Sequence, residues 1–324
     1  MTTTHVFIVD KNTFKIHLEH MFVGTGSKDH IIDFNSKTSK MHHATEKNLC
    51  SMMADSQRIR KGDYIIFYLQ QNLNGKEQEK IKEGKFYGIF KAEHDLSFLD
   101  DNDDNQYLNN ELNKSLTFRA LICPHEVYAE GITEWHALDE IKNINSPNQM
   151  LWSLIYRKLK GNRGNTMITI YESEKLFKLI RNKNENKKLS ANNLTFDIVS
   201  EKIIPSEKSN GYTGRKEKIN ILPQLIYKHN RGNQFETHLQ TYILQNIGKN
   251  GNKSLDKSIF GNNNINIEWI GNEVSCGVGM QRIDIMVSNV INEYNRTLYP
   301  IELKSNFATS EITNQLQRYI DWIE

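Results

Sequence analysis

Cysteine is scarce in this chain: three in 324 residues, Cys50, Cys123 and Cys276, each far from the next. Thiols so widely separated exclude a disulfide framework and a cysteine-based zinc site. They fit small core residues in a protein of the reducing cytoplasm. No apolar run approaches the roughly 20 residues needed to span a bilayer. The opening Met-Thr-Thr-Thr-His carries no basic segment leading into an apolar one, so no secretory signal is expected. No internal repeat and no heptad pattern is present. A charge excess is missing as well. With 41 Lys and Arg against 39 Asp and Glu, the net charge is +2, and the overall balance does not announce nucleic-acid binding.

The distribution of charge says more. Residues 181–231 hold eleven Lys or Arg against five Asp or Glu, while residues 95–104 hold five aspartates. The charged fraction of 25% and hydrophobic fraction of 38% are ordinary for a globular protein, and the length suggests two domains.

A first domain is read over 1–182, as α+β. Strands are expected over 6–9, 64–69, 84–92, 117–123 and 167–170. Helices are expected over 46–56, 146–160 and 171–181, the last with Leu176, Leu179 and Ile180 on one face. Lys61-Gly-Asp63 followed by an apolar strand, a polar loop and the Gly84-Lys-Phe-Tyr-Gly88 strand resembles the PUA-like superfamily, particularly EVE and YTH domains. That resemblance implies a small curved β-barrel with a pocket for a modified or flipped base. Aromatic faces would enclose the base and polar groups would read its edge. Trp135 and Trp152 are the leading aromatic candidates, with Phe22 ahead of Gly24-Thr-Gly26 as another and Asp55 as a reader of an exocyclic amine. Arg157-Lys158-Leu-Lys160-Gly-Asn-Arg163-Gly164 places four cations around two glycines, a pattern suited to phosphate contact. Residues 183–230 read as a basic, polar linker region, within which 194–204 could add a strand.

The third region, 231–324, carries the strongest chemical signal. Arg282-Ile-Asp-Ile-Met-Val287 and Leu298-Tyr-Pro-Ile-Glu-Leu-Lys304 read as buried strands that contain charge. Burying a charge is costly unless it is paired or binds metal. Glu302 and Lys304 are two apart and share one strand face. Asp284 on a neighbouring strand would complete a site of two carboxylates and an ammonium, able to hold a divalent metal and a water for attack on a phosphodiester.

These residues resemble the PD-(D/E)xK nuclease superfamily, and residues 234–322 look most like the nuclease domain of the NucS/EndoMS endonucleases. Gln234-Phe-Glu-Thr-His-Leu239 matches the opening helix with its acidic residue, Glu236. Gln281-Arg-Ile-Asp-Ile285 and Ile301-Glu-Leu-Lys304 match the two metal-site strands. Asn314-Gln-Leu-Gln-Arg-Tyr319 matches a following helix bearing Gln315 and Tyr319. Ile283 stands where the motif's name has proline. The segment 288–297 reads as longer than a tight hairpin. Related domains continue past this last helix, so part of the sheet is expected beyond Glu324.

The resemblance implies an α/β domain with a mixed central sheet. Asp284, Glu302 and the Leu303 carbonyl would hold Mg2+, with Mn2+ able to substitute. Lys304 would orient or deprotonate the attacking water, Glu236 would reach the same or a second metal, and Gln315 and Tyr319 would contact the phosphate or the metal shell. Arg282, beside the first carboxylate, joins the nucleic-acid contacts. Three readings follow. One is a restriction-type DNA endonuclease, a homodimer, whose first domain recognises a base such as modified cytosine. The second is a NucS-like repair enzyme for mismatched or branched DNA. The third is a non-catalytic reader of modified DNA or RNA.

Overall fold

The computed structural model describes residues 2–26, 43–73, 80–143, 164–208, 210–233, 235–249, 253–261, 265–276, 281–305 and 307–323. The chain is mixed α/β, with a curled mixed sheet resembling a half-barrel and several helices. It divides into two compact units. Among described residues, one holds 2–26 and 59–217, and the other holds 43–58 and 218–323. Among these residues no helix is long and apolar enough to cross a membrane.

The first unit is built on β1 (Thr4–Val9), β2 (Phe22–Thr25), β3 (Tyr64–Leu69), β4 (Lys85–Ala92), β6 (Phe118–Pro124) and β8 (Asn165–Ile168), in the spatial order β2-β6-β4-β3-β1-β8. Short β5 (Phe98–Leu99) pairs β6, and β7 (Ile132–Thr133) pairs β4. Among the described residues of this unit's sheet, β1 and β3 run parallel and the other pairs are antiparallel.

The Tyr-Ile-Ile-Phe-Tyr-Leu run of β3 is apolar throughout because both of its faces are buried. Ile65, Phe67 and Leu69 enter one core with Phe14 and Leu18 of helix α1 (Lys11–His20). Ile66 and Tyr68 enter a second core with Leu176, Phe177 and Ile180. Each fully buried Phe or Leu contributes on the order of 2 kcal/mol. Helix α1 starts at a reciprocal cap, in which Asp10 Oδ1 accepts the Thr13 N–H at 2.8 Å and Thr13 Oγ1 accepts the Asp10 N–H at 3.1 Å. The short helices α3 (Asn109–Leu112) and α4 (Glu134–Asp139) lie between strands. Helix α5 (Ile170–Lys183) starts at a Thr169/Glu172 capping box and presents the expected Leu176–Ile180 face.

Two features depart from the boundaries read in the sequence. The stretch 183–230 is folded rather than a linker. Strands β9 (Leu194–Asp197) and β10 (Lys202–Pro205) form a hairpin whose Leu194, Phe196 and Ile203 are buried in the α1 core. Tyr212 packs at tilted and edge-on angles among Phe22, Phe98 and Tyr107, and Arg215 pairs with Asp100 and Asp103 at 3.0 and 2.8 Å. The aspartate run thus takes its counter-charge from the basic segment. Helix α6 (Leu222–His229), by contrast, falls in the second unit.

The second departure is helix α2 (His43–Gln57), which also groups with residues 218–323. It packs on α7 (Glu236–Asn246) through polar contacts. The Glu46 carboxylate accepts a hydrogen bond from His238 Nε2 at 3.0 Å, the Thr241 hydroxyl donates to the Cys50 carbonyl at 3.1 Å, and Gln245 donates to Gln57 at 2.9 Å.

The second unit adds α8 (Lys253–Phe260), β11 (Ile267–Cys276), β12 (Gln281–Val290), β13 (Arg296–Ile301) and α9 (Ser310–Ile323). Its sheet, β11-β12-β13, is wholly antiparallel among the described residues, where a mixed sheet was expected. Ile285 and Val287 of β12 share a core with Leu244 of α7 and with Ile247, which caps that helix. The β12–β13 connection is tighter than read, because the ladder continues to Val290–Arg296. The Asn292 side chain closes the turn by accepting the N–H groups of Tyr294 and Asn295.

Candidate active site

Asp284 lies between Ile283 and Ile285, both fully buried, near the end of the β12–β13 ladder, whose last pair is Ile285–Ile301. Antiparallel register puts residue 302 level with residue 284. Beyond Ile301 the chain leaves the ladder, and Asp284 Oδ2 captures the freed Leu303 N–H at 2.7 Å. The strand ends at Ile301, so Glu302 and Lys304 lie just past it rather than on the strand face expected; the Leu303 side chain is buried in the α7 core, while Glu302 and Lys304 meet each other.

Glu302 is the hub. Its Oε1 accepts from Lys304 Nζ at 2.5 Å and from Gln315 Nε2 at 2.9 Å, and its Oε2 lies 3.3 Å from the Tyr319 hydroxyl. Gln315 and Tyr319 are one turn apart on α9. Tyr319, the buried residue of that helix, donates to the Arg282 carbonyl at 2.9 Å and so ties α9 to β12. From the opposite side, α7 contributes twice. Glu236 Oε1 accepts the Ser305 N–H at 3.4 Å, and Gln240, one turn on, donates to the Asp284 carbonyl at 2.8 Å. All six residues read as catalytic from the sequence therefore converge: Asp284, Glu302, Lys304, Glu236, Gln315 and Tyr319. Arg282, on the same strand face as Asp284, pairs with Glu273 at 2.8 Å.

The charges are strained toward one another. Burial pushes the Asp284 carboxyl up to about 7. The Leu303 N–H opposes that rise, and the charges of Glu302, Glu273 and Glu236 add to it. The hydrogen bond to Glu302 raises the Lys304 ammonium above its ordinary value. Burial lifts the Tyr319 hydroxyl to about 12, and burial together with Glu302 lifts the Cys276 thiol to about 11.

Among the described residues no three His, Cys, Asp or Glu side chains gather closely enough to enclose a metal by themselves. Two carboxylates and a backbone carbonyl are an all-oxygen set. That set, with crowded negative charge, fits a hard cation such as Mg2+, which keeps several of its waters. No protein-family model matches the chain, and no curated protein matches it in sequence.

The remaining candidates are scattered. Trp135, in α4, is 55% exposed. Phe22 is fully buried against His17, Tyr212 and Arg119, so it serves the core rather than an open pocket. Asp55, in α2 of the second unit, is buried and accepts from Asn272 at 2.9 Å. Trp152, Arg157, Lys158, Lys160 and Arg163 lie outside the described residues, as does the helix expected over 146–160.

Two residues at the site escaped the sequence reading. Gln240 had a usable signal, since it stands four residues after Glu236 on one helix. Glu273 had none, because its place opposite Asp284 depends on the β11–β12 register.

Proposed function

We propose that this chain is a metal-dependent DNA endonuclease of restriction type, with a PD-(D/E)xK site in the second unit and a PUA-like target-recognition module in the first. The convergence of Glu302 with Asp284, Lys304, Gln315 and Tyr319, braced by Glu236, carries the reading. Asp284, Glu302 and the Leu303 carbonyl would hold Mg2+. When bound, that ion supplies a Lewis acid for the phosphate and lowers the pKa of a coordinated water.

The protein's own groups do the rest. Lys304 presents its ammonium where the attacking water and the developing charge lie, at the exposed edge of the site. Glu302 fixes that ammonium. Gln315 and Tyr319 hold the Glu302 carboxylate in one orientation, and Gln240 and the Leu303 N–H hold Asp284. Arg282 stands ready to contact the DNA backbone. In the first unit, the curled mixed sheet and exposed Trp135 support a base-reading role. Cleavage of both strands calls for two sites, hence a homodimer.

The test is cleavage of plasmid DNA with unmodified, methylated or hydroxymethylated cytosine, in Mg2+ and in chelator. Cutting confined to modified DNA supports the recognition role, and equal cutting of unmodified DNA at a fixed site refutes modification dependence. Mismatched and branched duplexes in the same assay separate a repair enzyme. Asp284→Ala should abolish cutting with DNA binding intact, and full activity in that variant overturns the catalytic assignment.

A further inference from the structure

Arg282 stands between two carboxylates. It lies two residues before Asp284 on β12, so both side chains leave one face of the strand about 7 Å apart, within an arginine's reach. Across the sheet, the pairs Asn272–Ile285 and Val274–Ile283 put Glu273 of β11 level with Asp284. Glu273 is therefore the diagonal neighbour of Arg282, a separation that long side chains span. Residue 302 is level with Asp284 on the opposite flank, just past β13. Glu273, Asp284 and Glu302 thus form one row across the sheet, with Asp284 in the middle.

The fold gives Arg282 to Glu273. Arg282 Nη1 donates to Glu273 Oε2 at 2.8 Å, and both side chains are partly buried. The residue directly opposite Arg282 is Ser275, whose small side chain leaves the diagonal open. The Tyr319 hydroxyl bonds the Arg282 carbonyl at 2.9 Å and fixes the point from which the guanidinium swings. The sequence joining β11 to β12, Gly277-Val-Gly-Met280, carries no charge of its own.

The backbone marks the same contact. Glu273 has φ +52°, in the left-handed region, within a strand. That conformation is open to glycine and disfavoured for any residue with a side chain. Such a residue persists where its surroundings over-determine it, and here the ion pair with Arg282 does so.

The choice of partner bears on the metal. A guanidinium fork fits a carboxylate through two parallel hydrogen bonds. Turned to Asp284, Arg282 would occupy the oxygens a hard cation needs and cancel the charge that attracts it. Glu273 offers the competing carboxylate on the flank away from Glu302.

We infer that Glu273 is a positioning residue, which holds the Arg282 guanidinium across the strands and so keeps the Asp284 carboxylate open to the metal. The inference rests on the metal-dependent reading above, and on no step of cleavage.

The test is Mn2+ binding to the full chain without DNA, with free Mn2+ counted by electron paramagnetic resonance. Wild type, Glu273→Gln, Arg282→Gln and the double variant make one cycle. Glu273→Gln should weaken Mn2+ binding about tenfold, as loss of an outer-shell partner does. Arg282→Gln should recover most of that loss in the Glu273→Gln background, and should change binding far less in the wild-type background. Loss of the Glu273 charge alone would instead leave the effect of Arg282→Gln equal in both backgrounds. Glu273→Gly, which suits φ +52°, keeps the fold and should weaken Mn2+ binding as Gln does. Binding within about twofold of wild type in both Glu273 variants, or equal effects of Arg282→Gln in the two backgrounds, overturns the proposal. A wild-type chain that holds no Mn2+ overturns the metal-dependent reading itself, and the inference falls with it.

Discussion

Glu46 offers the sharpest test of how the second unit is held. It stands in α2 at 1% exposure and accepts hydrogen bonds from His238 Nε2 at 3.0 Å, Gln224 Nε2 at 3.1 Å and Lys228 Nζ at 2.7 Å. His238 Nδ1 accepts the Phe235 N–H at 3.0 Å, which leaves the proton on Nε2 for Glu46. Burial works against the charge of Glu46. The hydrogen bonds, led by His238 and Lys228, outweigh it and hold the carboxyl at about 2, against an ordinary 4.5.

A folded value below the unfolded one means that the ionised group adds stability. That contribution is complete above pH 4.5 and is lost as pH falls from there toward 2. The full difference corresponds to roughly 3 kcal/mol. Lys228 keeps some contact with water, and screening brings the figure to about 2 kcal/mol. Glu46→Gln keeps the volume and removes the charge. It should cost the second unit about 2 kcal/mol at neutral pH and flatten its acid dependence between pH 4.5 and 2. Denaturant titrations at a series of pH values, with hydrogen exchange of the α2 and α7 amides to localise the effect, measure both. An unchanged midpoint at neutral pH, or a wild-type acid slope in the variant, refutes the reasoning.

Three further variants probe the site's supports. Tyr319→Phe leaves the Arg282 carbonyl and Glu302 without the hydroxyl, and should cost on the order of 1–2 kcal/mol in thermal unfolding and lower kcat more than KM. Gln240→Leu strands the Asp284 carbonyl. It should destabilise by a similar amount and reduce cutting, while Gln240→Glu, which cannot donate when ionised, should not rescue it.

The sequence made some of this legible for identifiable reasons. β3 was readable because both its faces are buried, leaving an uninterrupted apolar run. Asp284, Glu302 and Lys304 stood out because charge inside such runs demands an explanation; the β12–β13 register brings residue 302 level with residue 284, and the contacts past the strand's end complete the convergence. The β9–β10 hairpin was half legible, as a strand within 194–204, and its place in the α1 core was not, because only Leu194, Phe196 and Ile203 turn inward while the surrounding positions are polar and read as linker. The membership of α2 was hidden for a different reason. Its partner α7 lies nearly two hundred residues away in the chain (Glu46 and His238 are 192 apart), and the contacts between them are polar.

That polarity explains how α7 works. Its buried residues include His238, Gln240, Thr241 and Gln245 beside Ile243 and Leu244. A helix with this composition shows little amphipathic contrast, so nothing in its pattern reveals which side is covered. The side chains nevertheless divide by direction. His238, Thr241 and Gln245, at helical spacings of three and four, engage α2, whereas Glu236 and Gln240, four apart, engage the site. Hydrogen bonds with two defined sets of partners fix the rotation of a helix more tightly than apolar contact does, since a small turn breaks them all. The α2 contacts therefore set the angle at which Glu236 and Gln240 meet Ser305 and Asp284. On this view Glu46→Gln should reduce cutting as well as stability, although Glu46 touches no residue of the site. A variant with lowered stability but undiminished kcat would show that the two sides of α7 are independent.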